Sequence, residues 1–200
     1  MSYGTYYLNQ NRFPQVPYLT DAAAKTVAGC YDTGTVESSA CGLCYSGMML
    51  HDLLGIDVPM EQLVAYSYHA KANLYPGTSL VPYAQLLCRK YDIKFSQSNK
   101  ESDIIETIRQ GGVCIANVGG DYKGHIGVFS HGGHYIYIYA YNEASGEFAV
   151  LDPSRKEGKY EEEGRKGKVR CQGDTVYCTA DILKDDTANR DPGYFLFLRK

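Results

Sequence analysis

The sequence predicts an α+β fold: a helical first half and an antiparallel sheet in the second. Two observations carry this. Between residues 38 and 112 apolar side chains recur at helical spacing, in runs closed by glycine. From residue 113 the period shortens, and HYIYIYAY (134–141) alternates strictly, as a half-buried strand does. Helices first and strands second give segregated layers rather than alternating βαβ units. At 200 residues the chain suits a single domain, able to bury about 70% of its unfolded surface without a metal or disulfide. We divide it into an N-terminal arm (1–37), a helical half (38–112) and a sheet half (113–200).

The elements follow in order. Residues 1–37 are polar, tyrosine-rich and irregular, with turn signals at FPQVPY and DTGT. Ser38 or Ser39 caps a helix that runs to about Leu54, with Leu43, Gly47, Leu50 and Leu54 on one side and Gly55 as its stop. Pro59 opens a second helix, Ser79 caps a third, Asp92–Ser96 reads as a short strand, and ESDIIETIRQ reads as a fourth helix. VCIANV has strand length and composition. The glycine- and histidine-rich stretch 119–133 reads as a loop with a short strand at HIGVF, and it lacks the pattern of a phosphate loop. HYIYIYAY and EFAVLD flank NEASG, a hairpin signal. The charged run SRKEGKYEEEGRKGK (154–168) reads as an exposed, solvated excursion. Strands near VRCQG, VYCT and YFLFLR close the chain.

Composition narrows the function. A net charge of −3 gives no electrostatic case for nucleic acid. No apolar run reaches the length of a membrane span. There are 19 tyrosines and no tryptophan, which suits a tyrosine-faced sheet and equally a binding cleft. The seven cysteines, at 30, 41, 44, 88, 114, 171 and 178, are odd in number and irregular in spacing, which argues against a disulfide framework. With no signal peptide at the start, this favours a reducing, cytoplasmic setting; a secreted chain shortened at its start would read the same. Nothing fixes an oligomeric state.

The hairpin places two polar side chains together. With NEASG as the loop, Tyr141 pairs with Glu147 and Val150 lies opposite Ile138. His134, Ile136, Ile138 and Ala140 then share a face with Phe148, Val150 and Asp152, and the tyrosines take the opposite face. That face is apolar except at its rim, where His134 and Asp152 are diagonal neighbours. A carboxylate there can hold an imidazole in one tautomer, as nucleophilic catalysis requires. A slip of one residue would separate the two.

SSACGLCYSGMML supplies the partner. Cys41 and Cys44 admit three readings: half of a zinc site, a dithiol, or a single nucleophile. Zinc would need two more ligands, from His131 and His134 or Cys171 and Cys178, at untypical spacings. A thioredoxin-like dithiol normally follows a strand, and an irregular arm precedes this one. A thiol in the first turn of a helix is stabilised as thiolate by the free N–H groups there, which can also receive an oxyanion. Cys41 is then the nucleophile, His134 the base and Asp152 the orienting group; Cys44 packs inward. His131 reads as a loop residue, His125 as a loop residue able to line a cleft, and His51 and His69 as ordinary helix positions.

These segments resemble the papain-like cysteine peptidases, and most closely the branch of the bacteriocin-processing, double-glycine-leader peptidases, family thirty-nine. The carriers are ACGLCYSGMMLHDLLG, GGHYIYIYAYN, FAVLDPS and the passage RQGGVCIANV, within residues 5–155. Ala40–Tyr45 stand where that branch has Gly-Cys-Gly-Pro-Thr-Ser, so the last three residues differ. The resemblance implies a papain-like fold, with the nucleophile helix packed on an antiparallel sheet. It implies hydrolysis of a peptide or amide bond in a peptide or protein substrate through a thioester on Cys41, with no cofactor and no metal. It also implies an upstream glutamine as oxyanion donor: Gln10, in Tyr7–Gln10, with Gln15 as the alternative. The same site could serve an amidase, deamidase or transamidase, and a non-catalytic peptide-binding module is the rival from another class.

Overall fold

A computed structural model describes residues 3–20 and 34–200. Cys30 and the DTGT turn signal at 32–35 fall wholly or partly outside the described residues. Six helices are described: α1 (Val36–Ser39), α2 (Cys41–Leu54), α3 (Met60–His69), α4 (Leu80–Tyr91), α5 (Glu101–Arg109) and α6 (Ala180–Thr187). Seven strands, β1 (Ile93–Ser98), β2 (Val113–Val118), β3 (His134–Asn142), β4 (Glu147–Leu151), β5 (Arg170–Gln172), β6 (Thr175–Thr179) and β7 (Tyr194–Arg199), form one sheet. Its order is β1-β7-β2-β3-β4-β6-β5, antiparallel throughout. The α+β division holds, with two exchanges: β1, from the helical half, forms one edge, and α6 lies in the sheet half. No helix among the described residues is long and apolar enough to cross a membrane.

Each face of the sheet covers a core. Ile115, Tyr137, Leu151, Phe195 and Phe197 pack against α2, α3 and α4. Ala116, Ile136, Ile138, Phe148, Val150 and Leu196 pack with Ile104 of α5 and Leu183 of α6. The tyrosine side of β3 is thus buried on helices, and its hydroxyls need partners. Tyr137 donates to Asp52 Oδ2 at 2.8 Å, and Tyr139 meets Thr175 Oγ1 at 2.8 Å.

The first helical stretch is broken in two. Ala40, not a serine, precedes α2 and gives no side-chain cap, while Ser38 and Ser39 belong to α1. α2 ends, as expected, at Gly55, whose φ of 70° is the left-handed conformation glycine adopts freely. Eleven of its fourteen residues are buried, from Gly42 to Leu53, so it runs through the molecule rather than along its surface.

Three further expectations are corrected. HIGVF is not a strand; only an isolated bridge between Tyr122 and His125 forms near it. Its Val128 and Phe129 amides donate instead to Asp186 of α6, at 3.0 and 2.9 Å. The hairpin closes one residue tighter, with Asn142 opposite Glu147 and Tyr141 opposite Phe148. A bulge at Tyr139 then restores the expected pairing, Ile138 opposite Val150. Beyond the bulge, Tyr141 rather than Ala140 shares the face of Phe148, and their rings lie 4.8 Å apart. The run 154–168 is not wholly solvated: Tyr160 and Arg165 are buried, and Lys159 reaches inward. A buried aspartate in need of donors draws in Lys159 and Tyr160, and Arg165 donates to Gly127 O at 2.9 Å.

Candidate functional site

Cys41 is the first residue of α2, in a turn whose leading N–H groups lack a side-chain cap. His134 opens β3, and Asp152 directly follows β4. The register that carries Ile138 opposite Val150 brings these two strand ends together: His134 Nε2 lies 2.8 Å from Asp152 Oδ1, both side chains nearly without solvent. With Nε2 committed to the carboxylate, Nδ1 is the nitrogen left for the Cys41 thiol, which lies close enough to the ring for each group to shift the other's pKa.

The electrostatics favour separated charge. Burial pushes the Cys41 thiol up, but the His134 charge, a hydrogen bond from the ring and the Tyr135 and Gly42 amides outweigh it, and the net shift is downward. Burial pulls His134 down, and the Cys41 charge and Asp152 overcome it, lifting the imidazole to about 9. Both shifts favour the thiolate–imidazolium form of the pair over the neutral one. Cys44, one turn along, is fully buried and its thiol is pushed well up by desolvation. The two cysteines occupy opposite electrostatic environments, and both are free thiols.

Asp152 is completely buried, yet every lone pair has a donor. Oδ1 accepts from His134 Nε2, the Ser154 amide at 2.9 Å and Ser154 Oγ at 3.2 Å. Oδ2 accepts from Lys159 Nζ and the Tyr160 hydroxyl, each at 2.6 Å. Burial alone would raise this carboxyl; Lys159 and His134 hold it far below the usual carboxylate range. A buried aspartate needs such donors, which is why part of the charged run folds inward. Ser154, Lys159 and Tyr160 were missed by sequence reasoning. Tyr160, the lone aromatic in that run, was the signal available.

The arm closes the site from its other side. The Tyr7 hydroxyl donates to the Asp152 carbonyl at 2.6 Å, and the Gln10 amide donates to Pro153 O at 2.7 Å. Gln10 lines a cleft of about 620 Å³ together with Cys41, His134, Ser39, Thr78 and Gly133. Its Nε2 donates one hydrogen to Glu37 O at 2.6 Å, which leaves the second N–H. Gln15 is exposed and does not line the cleft. His125 does not line it either, being bound through Nε2 to Asp186 at 2.8 Å. His131 spans Asp121 and Glu162 at 2.9 and 3.2 Å, and His51 pairs with Asp57.

No protein-family model matches the chain, and no curated protein matches it in sequence. Solved structures do match in shape. One, from Bacillus anthracis and described as C39-like, is 10% identical, covers 94% of this chain and 96% of its own, and superposes with a TM-score of 0.51. Another, the peptidase domain of Streptococcus ComA, a bi-functional ABC transporter involved in a quorum-sensing pathway, is 10% identical over 80% of this chain and 91% of its own, with a TM-score of 0.49. The helices and the seven-stranded antiparallel sheet thus form the papain-like fold of C39-type peptidase structures.

Proposed function

We propose that the chain is a cysteine peptidase-like hydrolase that cleaves a peptide or amide bond through a thioester on Cys41. One observation carries the reading: a thiol depressed in pKa at a helix start faces an imidazole whose far nitrogen is held by a buried carboxylate at 2.8 Å. In this mechanism the Cys41 thiolate attacks the carbonyl carbon. The Cys41 N–H and the second Gln10 Nε2–H hold the oxyanion. His134 Nδ1–H passes its proton to the leaving amine as the C–N bond breaks, giving the thioester. His134 then takes a proton from water, which attacks the thioester and returns free thiolate and a carboxylic acid. Asp152 fixes the ring, and Ser154, Lys159 and Tyr160 are positioning residues that act through Asp152.

Leu43, Cys44 and Tyr45, where the sequence departs from the related motif, are all fully buried in α2. The departure lies behind the nucleophile rather than in the cleft. The test is cleavage of a fluorogenic peptide library by the wild type and by Cys41→Ala and His134→Ala. Cleavage by the wild type, lost in both variants while each stays folded, is expected; hydrolysis that survives Cys41→Ala would end the proposal.

A further inference from the structure

One wall of the cleft carries a cation that no carboxylate of the described residues pairs. α6 ends at Thr187, and the following turn, closed by the Arg190 amide on Thr187 O at 2.9 Å, carries Arg190 into the lining. Its guanidinium lies against Gly133, next to His134: a Cβ on Gly133 would sit 2.5 Å from Arg190 Nη2. Among the described residues no carboxylate lies within ion-pair distance of it. Asp186 is engaged by His125 and two amides, and Asp191 accepts from Asn99 at 2.9 Å. Among the described residues, the only hydrogen bond Arg190 makes through its side chain is a 3.5 Å contact to Gly119 O, and its buried Nε meets no acceptor. Among the described residues no aspartate or glutamate lines the cleft. The Cys41–His134 pair sums to zero charge whether the proton sits on sulfur or on the ring, so Arg190 gives this lining a net positive charge.

A buried guanidinium N–H without an acceptor is costly, and arginine's fork matches a carboxylate. We propose that Arg190 is a specificity residue that binds a carboxylate of the substrate close to the scissile bond. The substrate class is an acidic peptide: the carboxylate is either an aspartate or glutamate side chain or a free C-terminal carboxylate. A side chain at Gly133 would crowd the guanidinium in this position. This inference rests on the hydrolase reading, and the experiment separates the two.

Matched peptides differing only as Glu, Gln or Lys at each position around the scissile bond, or as C-terminal acid or amide, are compared in hydrolysis by the wild type, Arg190→Gln and Arg190→Glu. The same pairs are titrated onto Cys41→Ala, with and without Arg190→Gln, to read binding without turnover. An acidic member favoured by about tenfold at one position is expected, with the advantage abolished in Arg190→Gln and turned towards lysine in Arg190→Glu. Preference for the Glu/Gln pairs alone identifies a side chain, and for the acid/amide pair alone a chain terminus; either supports the proposal. Equal binding and turnover of both members at all positions overturns it, as does a preference unchanged in Arg190→Gln. Preferential binding without hydrolysis by the wild type keeps the carboxylate site and rejects the hydrolase.

Discussion

Lys159 Nζ stands 2.6 Å from Asp152 Oδ2, a buried ion pair on the side of the carboxylate opposite His134. The aspartate is shared between two cations, so each limits the hold of the other. Replacing Lys159 by methionine leaves the whole carboxylate charge to the imidazole. His134 should then keep its proton to higher pH, and the alkaline limb of the kcat/KM profile should move up. The lost pair should cost about 3 kcal/mol of stability and kcat about tenfold through a looser ring, with KM little changed. Thermal unfolding and pH–rate profiles check both.

Asp152→Asn acts in the opposite sense. An amide in place of the carboxylate withdraws the charge that supports the imidazolium, so the alkaline limb should fall by about one pH unit or more. Rates across pH 5–10 for the wild type and both variants give the two opposed displacements. Limbs that move the same way would show that Asp152 does not set the His134 charge.

The wild-type profile follows from the pair itself. Acylation needs thiolate beside imidazolium. Activity should rise with pH as Cys41 ionises, below its ordinary range, and fall as His134 deprotonates near about 9. Stability has its own signs. His134 is raised from about 6.5, so its contribution is complete below that pH and disappears as pH climbs through about 9. Asp152 is depressed, so its contribution is present above about 4 and is lost as acid protonates it. Denaturant titrations at pH 3, 6 and 10 should show the greatest stability at the middle value.

At pH 6, iodoacetamide should alkylate Cys41 at least about tenfold faster than Cys44, Cys88, Cys114 or Cys178, whose thiols burial pushes up. His134→Ala should remove most of that advantage. Peptide mapping by mass spectrometry reads each site. Equal modification of Cys41 and Cys44 would leave the nucleophile without its support.

Gln10→Ala should lower kcat about a hundredfold and leave KM nearly unchanged, the mark of a donor used at the oxyanion. Gln15→Ala, at an exposed position, should be neutral. Steady-state kinetics on one good substrate compares them.

Much of this was legible in the sequence because it depends on period and spacing. Glycine stops, alternating tyrosines and a cysteine opening a helix are local signals, and they located α2, β3 and the three residues from distant segments. Residues answering to tertiary demand were not legible. Lys159 and Tyr160 sit in a run that any local rule assigns to solvent, and the need of Asp152 for donors, with the Phe129 ring against Tyr160, turns them inward. The turn after α6 holds Arg190 for reasons set by Thr187 and Gly133, far apart in the chain. α6 itself carries Asp181, Lys184, Asp185 and Asp186 in eight residues, which leaves few apolar positions to mark it as a helix.

The bulge at Tyr139 gives the hairpin a slip joint. The one extra residue there sets the pairing at the loop one step off from the pairing of Ile138 with Val150, so the two ends of the ribbon do not share a single register. Exposed Glu143–Ser145 is accordingly where a peptide epitope could be spliced in while the paired strand ends keep their alignment.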